Sequence, residues 1–123
     1  MCSSDLRWAE KEGHTRLRRF DFTGLREAVA ALSGNPVYFT IDLDVMDPAY
    51  FPGTGTPEAG GVTVKELLQA ALTVIKGANV VACDLVELAP NLDQSGASTA
   101  TALKVMREML LALEKTFVAP ETV

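Results

Sequence analysis

Two aspartates, Asp42 and Asp44, stand two positions apart where an apolar run, Val37–Ile41, gives way to polar sequence. The run is β-branched and aromatic, which is typical of a buried parallel strand. Because side chains two apart in a strand point to the same side, we expect both carboxylates at the carboxyl end of the strand, where α/β sheets bind ligands. Such a pair repels unless a cation compensates it, and carboxylate oxygens suit Mg²⁺, Mn²⁺ and Ca²⁺. The pair therefore predicts a divalent cation site. The alternative is one turn-forming and one capping aspartate.

A third carboxylate, Glu87, follows a second apolar run, Asn79–Val86. If the two runs are neighbouring strands, Glu87 faces the same crevice as Asp42 and could bind a cationic group of a substrate. The alternative is a solvated glutamate at a strand end. Asp84 lies deeper in the run and must be hydrogen-bonded or paired if it is buried.

The loop Pro52–Gly61 is rich in glycine and proline, and it lies between the first strand and the next helix. It lacks the lysine and the immediately following helix of a phosphate-binding loop, so we interpret it as a pocket wall or as a turn-rich connector. The hydroxyls of Thr54 and Thr56 could contact a ligand there. Asp47 precedes a proline, which favours a role in turn architecture.

The elements that must position these groups alternate between helix and strand. Apolar residues at helical spacing mark three helices: Leu25, Val29 and Leu32 for the first; Val64, Leu67, Leu68, Ala71, Leu72 and Ile75 for the second; Leu103, Met106, Leu110 and Leu113 for a last helix of about 15–18 residues. Thr63 and Glu66 form a capping box before the second helix, and Gly77 ends it.

The alternation of helices and strands along the chain specifies a parallel sheet with helices packed on its faces. Two strands alone leave both edges open. We therefore predict part of a larger α/β domain, or a domain that completes its sheet through a partner.

The composition limits the possible partners. The 123 residues suffice for one small domain, and 16 acidic against 11 basic residues give a formal net charge of -5, which argues against nucleic-acid and anionic-membrane binding. No apolar run approaches the roughly 18 residues of a membrane span. The cysteines, Cys2 and Cys83, form no disulfide framework and favour a reducing cytoplasm. We interpret Cys83 as a small core residue and His14, the one histidine, as solvated.

The segments Tyr38–Gly61 and Asp84–Pro90 resemble the signature motifs of the ureohydrolases, the arginase and agmatinase family. The Gly-Thr-Gly-Thr-Pro-Glu version of the loop is most similar to agmatinase, and the resemblance covers residues 24–115. It implies a three-layer α-β-α fold with a parallel sheet, a dinuclear Mn²⁺ centre and hydrolysis of a guanidino compound to urea and an amine. Agmatine is the first choice of substrate, with arginine or a guanidino acid second. The resemblance also implies a homo-oligomer of the full-length protein.

Residue by residue, the resemblance implies that Asp42 and Asp44 are metal ligands, that Glu87 binds the guanidinium group and that Thr56 lines the active site. The family's other ligands lie in Gly-Gly-Asp-His and Asp-Ala-His-x-Asp motifs, and this sequence has neither. No complete catalytic set is therefore present, and we interpret residues 21–118 as the C-terminal part of a ureohydrolase domain, preceded by an unassigned segment, 1–20, and followed by a tail, 119–123.

Two other functions remain open at this point. The first is a phosphatase of the haloacid dehalogenase type, in which Asp42 would be the nucleophile and Asp44 the acid/base. That family also needs a downstream lysine and a further acidic pair, for which Lys76 and Asp84 are poor candidates. Its motifs do not account for the Gly-Thr-Gly-Thr-Pro loop. The second is a catalytically incompetent fragment or interaction module, which the missing histidine motifs favour.

Overall fold

The computed structural model describes residues 22–32 and 34–117. Helices and strands alternate in the predicted order: α1 (Leu25–Ala30), β1 (Pro36–Asp42), α2 (Val64–Gly77), β2 (Asn79–Val86) and α3 (Ala97–Phe117), with 3-10 turns at Leu43–Val45 and Pro90–Leu92. The segment 1–20, the tail 119–123, and with them His14 and Cys2, lie outside the described residues. None of the described helices is long and apolar enough to cross a membrane.

The two strands pair in parallel, from Pro36 opposite Asn79 to Asp42 opposite Val86, with an irregularity in register after Val37. This confirms the predicted parallel sheet. Ile41 is buried in the core with residues of α2 and α3, whereas alternate residues of β1 on the other face are exposed. Within the described ranges, one helical layer covers one face of the sheet, which is an incomplete portion of the expected three-layer fold.

Helix α2 begins as predicted. The backbone N–H of Glu66 donates to Thr63 Oγ1 over 3.2 Å, and the Thr63 N–H donates to Glu66 Oε2 over 2.8 Å, which completes the capping box. These bonds fix the start of the helix directly after the glycine-rich loop. Its inward face, Leu67, Ala71 and Ile75, is buried in the core, so the loop is attached to a well-anchored element.

Helix α3 differs from the prediction in length and in its buried face. It has 21 residues, more than expected, and the predicted stripe is largely exposed: Leu103 is 55%, Met106 43% and Leu110 57% exposed. The residues that pack into the core are small or medium in size: Ala102, Val105, Met109 and Ala112. Small side chains let α3 approach α2 closely, and the larger leucines are left on the outer face of the described chain.

Candidate metal and substrate site

Asp42 and Asp44 lie close together, but the backbone that carries them differs from our prediction. Asp42 is the last residue of β1, and Asp44 belongs to the 3-10 turn that follows, so the expectation of two residues alternating along one strand is wrong. The Asp44 N–H donates to Asp42 Oδ1 over 3.1 Å, which makes Asp42 the cap of that turn. The strand ends here because the chain must turn to bury Leu43.

The carboxyl group of Asp42 is in an unfavourable electrostatic environment. Burial raises its pKa above the ordinary value, and the side chain of Asp44 and the charge of Glu87 raise it further, against a lowering by the Asp44 N–H. The sheet register accounts for the influence of Glu87: Asp42 pairs with Val86, and Glu87 is the next residue. Asp42, Asp44 and Glu87 therefore all lie at the carboxyl end of the two strands.

Thr56 is directly attached to this cluster. Its hydroxyl donates to Asp44 Oδ2 over 2.7 Å, which orients the Asp44 carboxylate. Gly55 lies beside Glu87, since a Cβ built at Gly55 would be 4.0 Å from Glu87 Oε2. The loop therefore lies beside Asp44 and Glu87, and its role as the wall of a binding pocket stays a prediction. Thr54, by contrast, is 2% exposed, and its hydroxyl has no hydrogen-bond partner among the described residues.

Glu87 has an uncommon backbone conformation. It follows the last residue of β2 with a φ of 67°, in the left-handed region that non-glycine residues rarely adopt. Such strain persists where the surroundings impose it, often at ligand sites. Here the Ala89 N–H donates to the Gly53 carbonyl over 2.8 Å and ties the segment after Glu87 to the loop that carries Thr56.

The same loop is fastened to the start of α3. The Gly53 N–H donates to Ser98 Oγ over 2.8 Å, and the Ser98 N–H donates to Asp93 Oδ2 over 2.7 Å. Ser98 is completely buried, and a Cβ at Gly53 would come within 2.7 Å of the Ser98 Cβ, so the loop needs a glycine there. Hydrogen bonds from the Ser95 hydroxyl and from the Ser98 N–H and side chain hold the pKa of Asp93 well below its usual range.

We did not predict the hydrogen bonds that join Gly53 to Ser98 and Ser98 to Asp93, and we call this arrangement the Gly53–Ser98 clamp. The sequence Asp93-Gln94-Ser95-Gly96 gives one signal for it, since it is a turn of the kind that precedes a helix N-terminus. The partner of Ser98 lies 45 residues earlier in the chain, and no local pattern identifies it.

Asp47 has the structural role that the sequence predicted. Its carboxylate accepts the N–H of Ala49 and that of Gly60, each over 2.8 Å, and these bonds lower its pKa. It therefore closes the base of the loop. At that base Gly61 packs on the backbone of the turn, where a Cβ would lie 2.5 Å from the Asp47 nitrogen.

Asp84 lies on the exposed face of the sheet, where its Oδ2 is hydrogen-bonded, whereas its buried Oδ1 has no hydrogen-bond partner among the described residues. The hydroxyl of Thr40 is the main cause of its lowered pKa, and the hydroxyl of Tyr38, which donates to Asp84 Oδ2, adds to it. Cys83 is a free, half-buried thiol that packs against the core, which confirms its predicted role.

The oxygen donors suit a hard divalent cation, but they do not make a complete site. Across residues 22–32 and 34–117, no group of three or more histidine, cysteine, aspartate or glutamate side chains lies close enough together to hold a metal ion. Metal binding by Asp42 and Asp44 therefore stays a prediction.

Comparison with known proteins identifies the class. The model of the arginase family matches residues 3–112, and the chain belongs to that family. The agmatinases of Bacillus cereus and Bacillus subtilis are 48% and 45% identical to it over 113 residues. These residues are 90% of this chain and 39% of each relative, so the chain spans about two-fifths of the length of these relatives. The human mitochondrial guanidino acid hydrolase is 45% identical over 84 residues, which are 68% of this chain and 24% of that protein.

Solved structures confirm the arginase-like fold. A candidate agmatinase from Clostridium difficile superposes with a TM-score of 0.86 at 39% identity, over 96% of this chain and 43% of that one. The proclavaminate amidino hydrolase of Streptomyces clavuligerus gives 0.75 at 33% identity, over 88% and 39%. The resemblance seen in the sequence is therefore confirmed, including its greater similarity to agmatinase. The family match also extends into the segment 1–20 that the sequence left unassigned.

Proposed function

We propose that this chain contributes part of the active site of an enzyme that hydrolyses a guanidino compound, agmatine before arginine or a guanidino acid, to urea and an amine. The proposal rests on one observation above all, the placement of Asp42, Asp44 and Glu87 at the same end of the sheet, where Asp42 pairs with the residue that precedes Glu87. Relatives named agmatinase and guanidino acid hydrolase support the substrate class.

Asp42 and Asp44 are the residues that would hold metal, as two of the ligands of a dinuclear Mn²⁺ centre. Bound manganese would supply the positive charge that lowers the pKa of water toward neutrality. The chain's own contribution is orientation: Thr56 holds Asp44 Oδ2 by its 2.7 Å hydrogen bond, and the Asp44 N–H holds Asp42 Oδ1. Ligands fixed in this way lose less freedom when the cation binds.

Glu87 would bind the substrate. Its two oxygens can accept parallel N–H bonds from a planar guanidinium, a charge-assisted arrangement that fixes both position and orientation. The strained backbone at Glu87 sets the direction of this carboxylate, and the Ala89–Gly53 hydrogen bond keeps the segment against the loop. The guanidinium charge would also offset part of the repulsion at Asp42.

The remaining ligands would come from outside residues 22–117, so this chain alone would be inactive. We propose residues 21–118 as the C-terminal part of a ureohydrolase domain, acting in the cytoplasm within a homo-oligomer of the full-length protein. One observation favours a second function, a catalytically incompetent interaction module: the described residues hold no complete set of metal ligands. Membership of the arginase family removes the reason to propose a phosphatase.

The test compares urea release from agmatine, in the presence of Mn²⁺, by the 123-residue chain alone and by the chain co-produced with the portion of Bacillus cereus agmatinase that it does not match. We expect no activity from the chain alone and clear activity from the pair. Asp44→Ala should abolish that activity, whereas Glu114→Ala, an exposed acid on α3, should preserve it. Inactivity of a well-formed pair would favour the interaction module, and full activity with Asp44→Ala would refute the metal assignment.

A further inference from the structure

Gly53 is held through both of its backbone polar groups. Its N–H donates to Ser98 Oγ over 2.8 Å, and its carbonyl accepts the Ala89 N–H over 2.8 Å. A glycine has no side chain to restrict its backbone, so the carbonyl keeps one direction only if the N–H is also held. Gly53 therefore transmits the position of Ser98, at the start of α3, to the segment that follows β2.

The Ser98 side chain is itself held in one position. It is completely buried, and the Ser98 N–H donates to Asp93 Oδ2 over 2.7 Å. The Ser98 hydroxyl also hydrogen-bonds the Asp93 carboxylate and helps to lower the pKa of Asp93. Because an ionised carboxylate only accepts, the hydroxyl hydrogen points to Asp93, and the oxygen is left to accept the Gly53 N–H. A hydroxyl that donates to an anion is polarised, which strengthens the bond that its oxygen accepts.

The other end of this chain of hydrogen bonds lies two residues after Glu87. Glu87 has a φ of 67°, which a non-glycine residue keeps only where its surroundings impose it. Strand β2 holds the chain before Glu87, and the Ala89–Gly53 hydrogen bond holds it afterwards. If the second of these two attachments were loosened, Glu87 would relax to an ordinary negative φ and its carboxylate would turn.

We propose that Ser98 is a positioning residue for the candidate substrate site: through Gly53 and Ala89 it holds the backbone of Glu87 and so aims the Glu87 carboxylate. This inference rests on the proposed function, in which Glu87 binds the guanidinium group. Ser98 acts through the backbone, so its loss changes the conformation and affinity of the site while the reacting groups themselves stay in place.

Nuclear magnetic resonance of the 123-residue chain tests the conformational step without an assay of activity. A positive φ brings the amide and α hydrogens of a residue close together, so Glu87 should show a strong nuclear Overhauser effect between them. Ser98→Ala removes only the hydroxyl and leaves the buried Gly53 N–H without its acceptor. We expect the effect at Glu87 to weaken, and the Ala89 amide to exchange with solvent about tenfold faster or more.

Ser95→Ala is the matched control. The Ser95 hydroxyl donates to Asp93 Oδ1 over 2.6 Å at the same helix start, but its hydrogen bonds in the described chain go to Asp93 and Ala97 rather than to the loop. Ser95→Ala should therefore leave the Overhauser effect at Glu87 and the exchange of Ala89 unchanged. The amides of α2 are an internal reference for general destabilisation, and faster exchange at Ala89 supports the proposal only where it exceeds theirs.

Kinetics test the consequence for binding, in the co-produced pair of this chain and the unmatched portion of Bacillus cereus agmatinase. Ser98→Ala should raise KM for agmatine by about tenfold and leave kcat and bound Mn²⁺ within about twofold, because a loosened binding group weakens the ground state and the transition state alike. Ser95→Ala should leave KM unchanged.

Three results would overturn the proposal: an unchanged Overhauser effect and exchange rate after Ser98→Ala, equal effects of Ser98→Ala and Ser95→Ala, or an unchanged KM in an active pair. An inactive unsubstituted pair would instead refute the proposed function, and the comparison by nuclear magnetic resonance would then decide alone whether Ser98 holds Glu87.

Discussion

The Gly53–Ser98 clamp makes a quantitative prediction for Gly53→Ala. The added Cβ would lie 2.7 Å from the Ser98 Cβ, 2.8 Å from its Oγ and 3.0 Å from the Asp93 Cβ, all in a buried place. Overpacking of this kind costs about 1–3 kcal/mol. Distortion of the 2.8 Å hydrogen bond from the Gly53 N–H to Ser98 Oγ adds about 1 kcal/mol. The free energy of unfolding should therefore fall by about 2–4 kcal/mol.

The cause can be isolated with a double-mutant cycle. Ser98→Gly removes the two atoms nearest to the new Cβ and leaves only its 3.0 Å approach to the Asp93 Cβ, so in the double variant most of the steric part of the penalty should disappear. We expect the two changes to be non-additive by about 1 kcal/mol or more. Gly55→Ala is the matched control in the same loop: its Cβ would make only an ordinary 4.0 Å contact with Glu87 Oε2, so stability should change little.

Urea denaturation of the 123-residue chain, followed by far-UV circular dichroism, measures each term. Additive effects of Gly53→Ala and Ser98→Gly would refute the steric argument, because the two side chains would then not be in contact. An effect of Gly55→Ala as large as that of Gly53→Ala would also refute it, because the contact with Ser98 would then not be what makes position 53 sensitive.

Three further predictions concern other parts of the chain. Thr63→Ala should lower the free energy of unfolding by about 1 kcal/mol in urea denaturation, because it removes the side-chain cap of α2; Thr116→Ala, in the last turn of α3, should have a smaller effect. Because the pKa of Asp93 is lowered in the folded state, its ionised form stabilises the fold above the ordinary carboxyl pKa of about 4, and this stabilisation is lost as the pH falls below that value. Asp93→Asn should therefore weaken the dependence of the free energy of unfolding on pH in the acid range. An unchanged dependence would contradict the hydrogen bonds to Ser95 and Ser98. In the active pair of this chain and the unmatched portion of Bacillus cereus agmatinase, Glu87→Ala should raise KM for agmatine, with a loss of about 2–5 kcal/mol of binding free energy and with Mn²⁺ retained. Loss of Mn²⁺, measured by atomic absorption, would instead indicate that Glu87 is a metal ligand.

Local patterns predicted the elements better than their mutual arrangement. The capping box at Thr63, the bounds of β2 and the parallel pairing all follow from neighbouring residues or from the alternation of helix and strand. The orientation of α3 does not, because large apolar residues dominate a sequence pattern, whereas the residues of α3 that are buried in the core include the small Ala102 and Ala112.

The sequence predicted which end of the sheet carries the candidate site, but only part of the local geometry. Asp42, Asp44 and Glu87 lie at the same end of the two strands, as the order of strands required, and their roles in binding stay predictions. The turn that contains Asp44 was missed because a strand end and a 3-10 turn have similar composition over three residues. The Gly53–Ser98 clamp was missed because it joins residues 45 positions apart.

The positive φ at Glu87 has a consequence for protein engineering. Glycine adopts this conformation without steric cost, so Glu87→Gly would remove about 1 kcal/mol of local strain and would score well in any screen for thermal stability alone. The same change would delete the carboxylate that we propose binds the substrate. Selection for thermal stability alone would thus favour loss of the Glu87 side chain. An engineering programme that stabilises this chain should therefore exclude position 87 from mutagenesis.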